Sequence, residues 1–182
     1  MNKEILRELY KQKRKELSDV EIEVFQEQIY KQVFELDFSA IKTVHIFLSM
    51  KKYKEVDTNP IIDFLLQQNI NIVTSRCNFD TDTLSHFLFD RNTQLQLNKF
   101  GVPEPINTPQ VDEKEIDLVF VPLLISDKEK YRVGYGKGFY DRFLSACRDD
   151  VKKIGLNFFK PIVKIDGIHQ YDVALDKVLY PK

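Results

Sequence analysis

Ile116-Asp-Leu-Val-Phe-Val-Pro-Leu-Leu-Ile125 is nearly all apolar, and the fold turns on this stretch. A strand with one wet face alternates apolar and polar residues. A run without alternation has the pattern of a central parallel strand covered on both faces. Upstream, Thr43-Val-His-Ile-Phe-Leu-Ser49 is a β-branched and aromatic run of strand length. A polar loop follows it, then Thr58 as an N-cap and Pro60 in the first turn of a helix reaching Gln68. Asn71-Ile-Val-Thr-Ser75 is the next strand. The two strands and their helix make a βαβ unit of about thirty residues, which in one sheet is parallel and right-handed. The predicted fold class is α/β: a single three-layer α/β/α domain over residues 1–182 with a largely parallel sheet.

Further out, residues 2–17 carry a helical stripe of Ile5, Leu6, Leu9 and Leu17 beside a dense set of lysines and arginines. Ser18-Asp-Val-Glu21 reads as a capping box opening a second helix to about Leu36, with Val20, Val24, Phe25, Ile29 and Val33 expected in the core. Residues 84–89, 153–158 and 177–180 read as short strands and 139–147 as a helix. Residues 101–115 hold three of the seven prolines and read as an ordered extended connection.

Composition narrows the function. The 27 basic and 28 acidic residues leave a net charge of −1, so no global field collects nucleic acid or anionic membrane. No stretch approaches the roughly 20 apolar residues of a membrane span, and the first twenty residues lack a signal-peptide core. A cytoplasmic monomer acting on small molecules is expected. Cys77 and Cys147 have no metal-like or disulfide-like spacing and are expected to be core thiols.

Chemistry concentrates in Arg132-Val-Gly-Tyr-Gly-Lys-Gly-Phe-Tyr-Asp141, which packs half of the six glycines into five residues. Each glycine costs roughly 0.5–1 kcal/mol of backbone entropy relative to alanine, so the cluster needs a reason. A loop lacking Cβ at alternate positions can turn successive N–H groups to one point ahead of a helix N-terminus, which suits phosphate. Arg132, Lys137 and Arg142 add formal charge. The loop is not a Walker A, because no Ser or Thr follows a terminal lysine. It is not a dinucleotide fingerprint either, because Phe139 stands where the last glycine belongs. Asp141 sits where a carboxylate suits either the helix dipole or a magnesium ion shared with phosphates.

The segment from Arg132 to Arg142 closely resembles the signature of the 5-formyltetrahydrofolate cyclo-ligase family. Lys3-Glu-Ile-Leu-Arg7 with Arg14 downstream, Phe47-Leu-Ser-Met50 with Glu55-Val-Asp-Thr58, Gly101-Val-Pro-Glu-Pro105 and Asp117-Leu-Val-Phe-Val-Pro122 follow in that family's order. The resemblance implies ATP-dependent closure of 5-formyltetrahydrofolate to 5,10-methenyltetrahydrofolate with Mg²⁺. It assigns ATP to Lys3, Arg7, Arg132, Val133, Gly134, Tyr135, Gly136, Lys137, Gly138, Phe139 and Tyr140. Folate goes to Leu48, Met50 and Glu55 together with residues 135–139. Lys137 and Arg132 become the catalytic cations, and Asp141 and Asp172 the metal ligands, with Asp176 a rival for Asp172. Arg14 is expected to reach substrate or phosphate. Near the C-terminus Tyr171-Asp172 stands where a His-Asp or Trp-Asp pair is common.

Without that resemblance, Lys3, Arg7 and Arg14 would read as one solvated helix face, and Glu55 and Asp57 as ordinary loop carboxylates. His45, His86 and His169 show no metal or triad spacing. A non-catalytic ATP-binding module is the competing reading.

Overall fold

The computed structural model describes residues 1–182. Five strands run parallel: β1 (Thr43–His45), β2 (Asn71–Asn78), β7 (Leu118–Pro122), β10 (Lys152–Leu156) and β11 (Lys177–Leu179). β3 (Thr83–Phe89) pairs antiparallel with β2, and β6 (Gln110–Val111) pairs antiparallel with β3. The seven-stranded order is β11-β10-β7-β1-β2-β3-β6, a mixed and mostly parallel sheet as expected.

β7 shows why its sequence lacks alternation. Leu118 and Phe120 enter one apolar cluster while Val119 and Val121 enter another, on the opposite face, and all four are buried. The first cluster is closed by α2 (Asp19–Phe34), through Ile29 and Val33, and by α3 (Asn59–Gln67), through Ile61, Ile62 and Leu65. The second is closed by α4 (Phe139–Ala146), through Phe143 and Leu144. Each such side chain removed from water contributes about 1.5–3 kcal/mol before the entropic cost of ordering it. α1 (Lys3–Glu16) belongs to neither layer. Leu6 and Tyr10 pack with Leu124, Ile125 and Val133 on a two-stranded ribbon of β8 (Ile125–Ser126) and β9 (Arg132–Val133).

Several expectations give way. Val20 and Val24 are 70% and 46% exposed, because the first turns of α2 overhang the core and the buried stripe runs through Ile29 and Val33. On α1 the buried residues are Leu6, Tyr10 and Arg14, one helical turn apart, while Ile5 faces outward. Thr58 does not cap α3 with its side chain. Its hydroxyl donates to the Phe47 carbonyl (2.7 Å), and Asp57 accepts the Asn59 amide instead (3.1 Å). The first strand stops at His45, although the Ile46 amide still reaches Val73 O (2.9 Å). Within residues 101–115, β5 (Pro103–Ile106) pairs with β4 (Gln94–Leu97) as a hairpin beside β2. Cys147 is buried, but Cys77 is only half-buried.

The topology also fixes where a ligand can enter. From β1 the chain crosses to β2 on one side, whereas from β7 it continues to β10 and β11 on the other. Neighbouring strands whose connections leave in opposite directions open a crevice beyond their C-terminal ends. Residues 46–58 after β1 and 123–138 after β7 are the segments that bound it.

Candidate active site

That crevice is a cavity of about 760 Å³, large enough for substantial parts of two small molecules. One wall comes from α1 and the glycine-rich loop: Lys3, Arg7 and every residue from Arg132 to Asp141. The facing wall comes from the segment after β1, with Leu48, Met50, Tyr53 and Glu55. Asp172 reaches it from the C-terminal segment, and all sixteen residues singled out for the site meet there. Asp176 does not, since it accepts from the Lys153 amide (2.7 Å) and pairs with the Lys153 amine (3.3 Å). Arg14 does not line the cavity either.

The loop is built by backbone geometry. Gly136 and Gly138 have φ of +98° and +70°, a region that suits only glycine at low cost, and Gly138 stands at the N-cap of α4. A Cβ on Gly136 would meet the Arg7 guanidinium at 3.0 Å, and Arg7 Nε donates to Gly134 O (3.0 Å). At Gly134 a Cβ would meet only open space on the cavity wall. No neighbour in the protein demands a glycine there, whereas a ligand lying close to the backbone would.

Charge is partly locked and partly free. Arg132 is buried, with Nη1 donating to Val173 O (2.7 Å) and Nη2 to Asp141 Oδ1 (2.8 Å). Burial lowers its pKa, and the Asp141 carboxylate offsets part of that. Lys3 Nζ holds Asp172 Oδ2 (2.5 Å), which also accepts from the His169 amide (2.6 Å). Burial raises the Asp172 pKa, but that amide and Lys3 outweigh it and hold the carboxyl below its usual range. Asp141 Oδ2 and Asp172 Oδ1 carry no protein hydrogen bond. Lys137 is exposed on the cavity rim with no ion pair.

On the facing wall, Glu55 Oε2 accepts from the Met50 amide (2.8 Å) and Oε1 from the Tyr135 hydroxyl (2.7 Å). Burial raises the Glu55 pKa, while that amide, Tyr135 and Arg14 restrain the rise. The floor holds a polar chain that spacing did not reveal: His45 Nε2 meets Ser75 Oγ (2.7 Å), which meets His86 Nδ1 (3.0 Å). Burial pushes the His45 pKa well down and that of His86 to about 4, so both rings are neutral. Phe79 and Phe100, with rings 4.3 Å apart, also line the cavity beside Lys99. They come from the loops of two separate hairpins, and the packing of the β4–β5 hairpin beside β2 brings them together.

Comparison with known proteins places the chain in a family. Residues 1–181 match the model of the family described as the 5-formyltetrahydrofolate cyclo-ligase family. The chain belongs to that family. A probable 5-formyltetrahydrofolate cyclo-ligase of Schizosaccharomyces pombe is 31% identical over 138 residues, covering 72% of this chain and 67% of the relative. The Haemophilus influenzae cyclo-ligase is 36% identical over 129 residues, 69% of each chain. The solved 5,10-methenyltetrahydrofolate synthetases of Aquifex aeolicus and Mycoplasma pneumoniae superpose with TM-scores of 0.84 and 0.74, each at 26% identity. They cover 99% and 98% of this chain and 90% and 98% of theirs. The cyclo-ligase likeness thus spans both walls of the crevice, from Lys3 to Asp172.

Proposed function

We propose that this cyclo-ligase family member spends ATP to close 5-formyltetrahydrofolate into 5,10-methenyltetrahydrofolate, releasing ADP and phosphate. One observation carries the reading. A glycine-built, cation-lined loop of the kind that cradles phosphate faces a fixed carboxylate acceptor across one cavity. A polyphosphate and a pterin with several N–H donors are complementary to those two walls.

A formamide oxygen leaves poorly, so the expected first step is its attack on the γ-phosphorus, with departure of ADP. The 10-nitrogen then attacks the formyl carbon, its proton is released, and phosphate leaves with the former formyl oxygen. Such chemistry asks for position and charge rather than a covalent nucleophile. Lys3, Arg7 and the loop from Arg132 to Tyr140 hold ATP in this account, and Lys137 and Arg132 supply positive charge at the transferring phosphoryl group. Glu55 accepts from the pterin, Leu48 and Met50 form its apolar wall, and residues 135–139 touch both substrates.

Asp141 and Asp172, which both line the cavity and each keep one oxygen without a protein hydrogen bond, would hold Mg²⁺. That ion takes one or two carboxylates and completes its shell with water and phosphate oxygens. It would neutralise charge on the phosphates. In this account a single domain comprising residues 1–182 carries all of these groups and acts as a monomer in the cytoplasm.

Incubation with 5-formyltetrahydrofolate labelled with ¹⁸O on the formyl group tests the reading. Folate-dependent ADP release with the label in phosphate is expected. ADP release independent of folate, or label in water alone, would sink it.

A further inference from the structure

Arg14 is the only charged residue on the buried stripe of α1, at 4% exposure. A guanidinium withdrawn from water is costly unless its donors are met. Here no carboxylate pairs with it, and its Nε has no partner. Its two remaining nitrogens point beneath the crevice: Nη2 donates to Leu123 O (2.5 Å) and Nη1 to the Tyr135 hydroxyl (3.2 Å). Tyr135 in turn donates to Glu55 (2.7 Å), whose other oxygen receives the Met50 amide. The chain of contacts runs from α1 through the glycine-rich loop to the opposite wall. A leucine at position 14 would fill the stripe more cheaply, so a charge kept there calls for another role.

We propose that Arg14 is a positioning residue of the cyclo-ligase reaction: acting through Tyr135, it fixes the Glu55 carboxylate and ties the folate wall of the crevice to the phosphate-binding loop. The proposal rests on Glu55 being the folate acceptor. It replaces direct contact between Arg14 and substrate, since Arg14 does not reach the cavity surface. The ionisable groups facing Glu55 are Arg14 from α1 and Tyr135 and Tyr140 from the loop and α4, with Tyr53 behind Tyr135. Among them only Arg14 is cationic. Losing it lets burial carry the Glu55 pKa upward, so the ionised acceptor is lost at a higher pH.

A double-mutant cycle of Arg14→Gln and Tyr135→Phe tests this, with steady-state kinetics, calorimetric affinity for 5-formyltetrahydrofolate without ATP, and thermal melts on all four proteins. Each single variant should raise KM for the folate about tenfold, the loss expected for one charge-assisted link. For Arg14→Gln, at a residue that does not line the cavity, the KM for ATP should stay within about twofold. The double variant should be no worse than the poorer single one, because both changes cut the same chain. Arg14→Gln should also move the acid limb of kcat/KM for the folate to higher pH, and Arg14→Lys should return it.

Unchanged folate KM in Arg14→Gln, equal losses for both substrates, or multiplying effects would each overturn the proposal. If Arg14→Gln does not fold, Tyr135→Phe, which removes only the hydroxyl that meets Glu55, still has to weaken folate. A wild type that binds the folate but does not turn it over would instead overturn the cyclo-ligase reading. The four calorimetric affinities would still decide the role of Arg14.

Discussion

Lys137 and Arg132 stand five positions apart in one loop and hold opposite positions energetically. Arg132 is clamped to Asp141 and Val173 O and shapes the loop as much as it charges it. Lys137 has no such partner, so its amine is available to a ligand at little structural cost. Replacing it by alanine is expected to lower turnover about 10²-fold, the usual loss for one charge-stabilising donor. Stability should change by less than about 0.5 kcal/mol, as at other exposed positions; parallel rate assays and thermal melts check both. Residue identities at the loop were legible because glycine is rarely clustered without cause. The place of Arg14 was not, because helical spacing gives a buried guanidinium and a solvated one the same periodicity.

Among the elements, β7 was readable because burial on both faces removes the alternation that would otherwise disguise it. The β4–β5 hairpin was not. All four residues of β4 are exposed, and two prolines occupy β5, so neither a buried face nor a clean strand signal reaches the sequence. Asp117, at the N-terminal end of β7, accepts from the amides of Lys42 (2.8 Å) and Thr43 (2.9 Å) and pairs with Arg148 (2.9 Å), far from the crevice. Asp117→Ala should therefore cost about 2 kcal/mol in urea unfolding, from amides left without a partner, with KM values unchanged.

The floor strands β1, β2 and β3 carry the His45–Ser75–His86 chain. Folded-state pKa values pushed below the ordinary 6.5 mean that the unfolded chain binds more protons below that pH. Stability from these groups is then full above about 6.5 and is lost as pH falls, for His86 down to about 4. NMR titration should find both rings neutral from pH 7.5 to 5.5. A ring that protonates near 6.5 would contradict the buried geometry.

At the scale of the whole molecule, function follows from a reversal of strand order. Because the connections diverge after β1 and β7, segments distant in sequence must meet above the sheet, and the N-terminal helix and Asp172 close the gap from either end of the chain. The position of the crevice follows from the α/β reading. Its substrate does not, since a phosphate-shaped loop and one carboxylate fit many ligands; the family match over residues 1–181 supplies the folate. The most direct measurement mixes the purified protein with ATP, Mg²⁺ and 5-formyltetrahydrofolate, omits each in turn, and follows methenyl-folate absorbance. The complete mixture is predicted to form product matched by ADP and each omission to abolish it, whereas no product from the complete mixture, or equal product without ATP, would contradict the account.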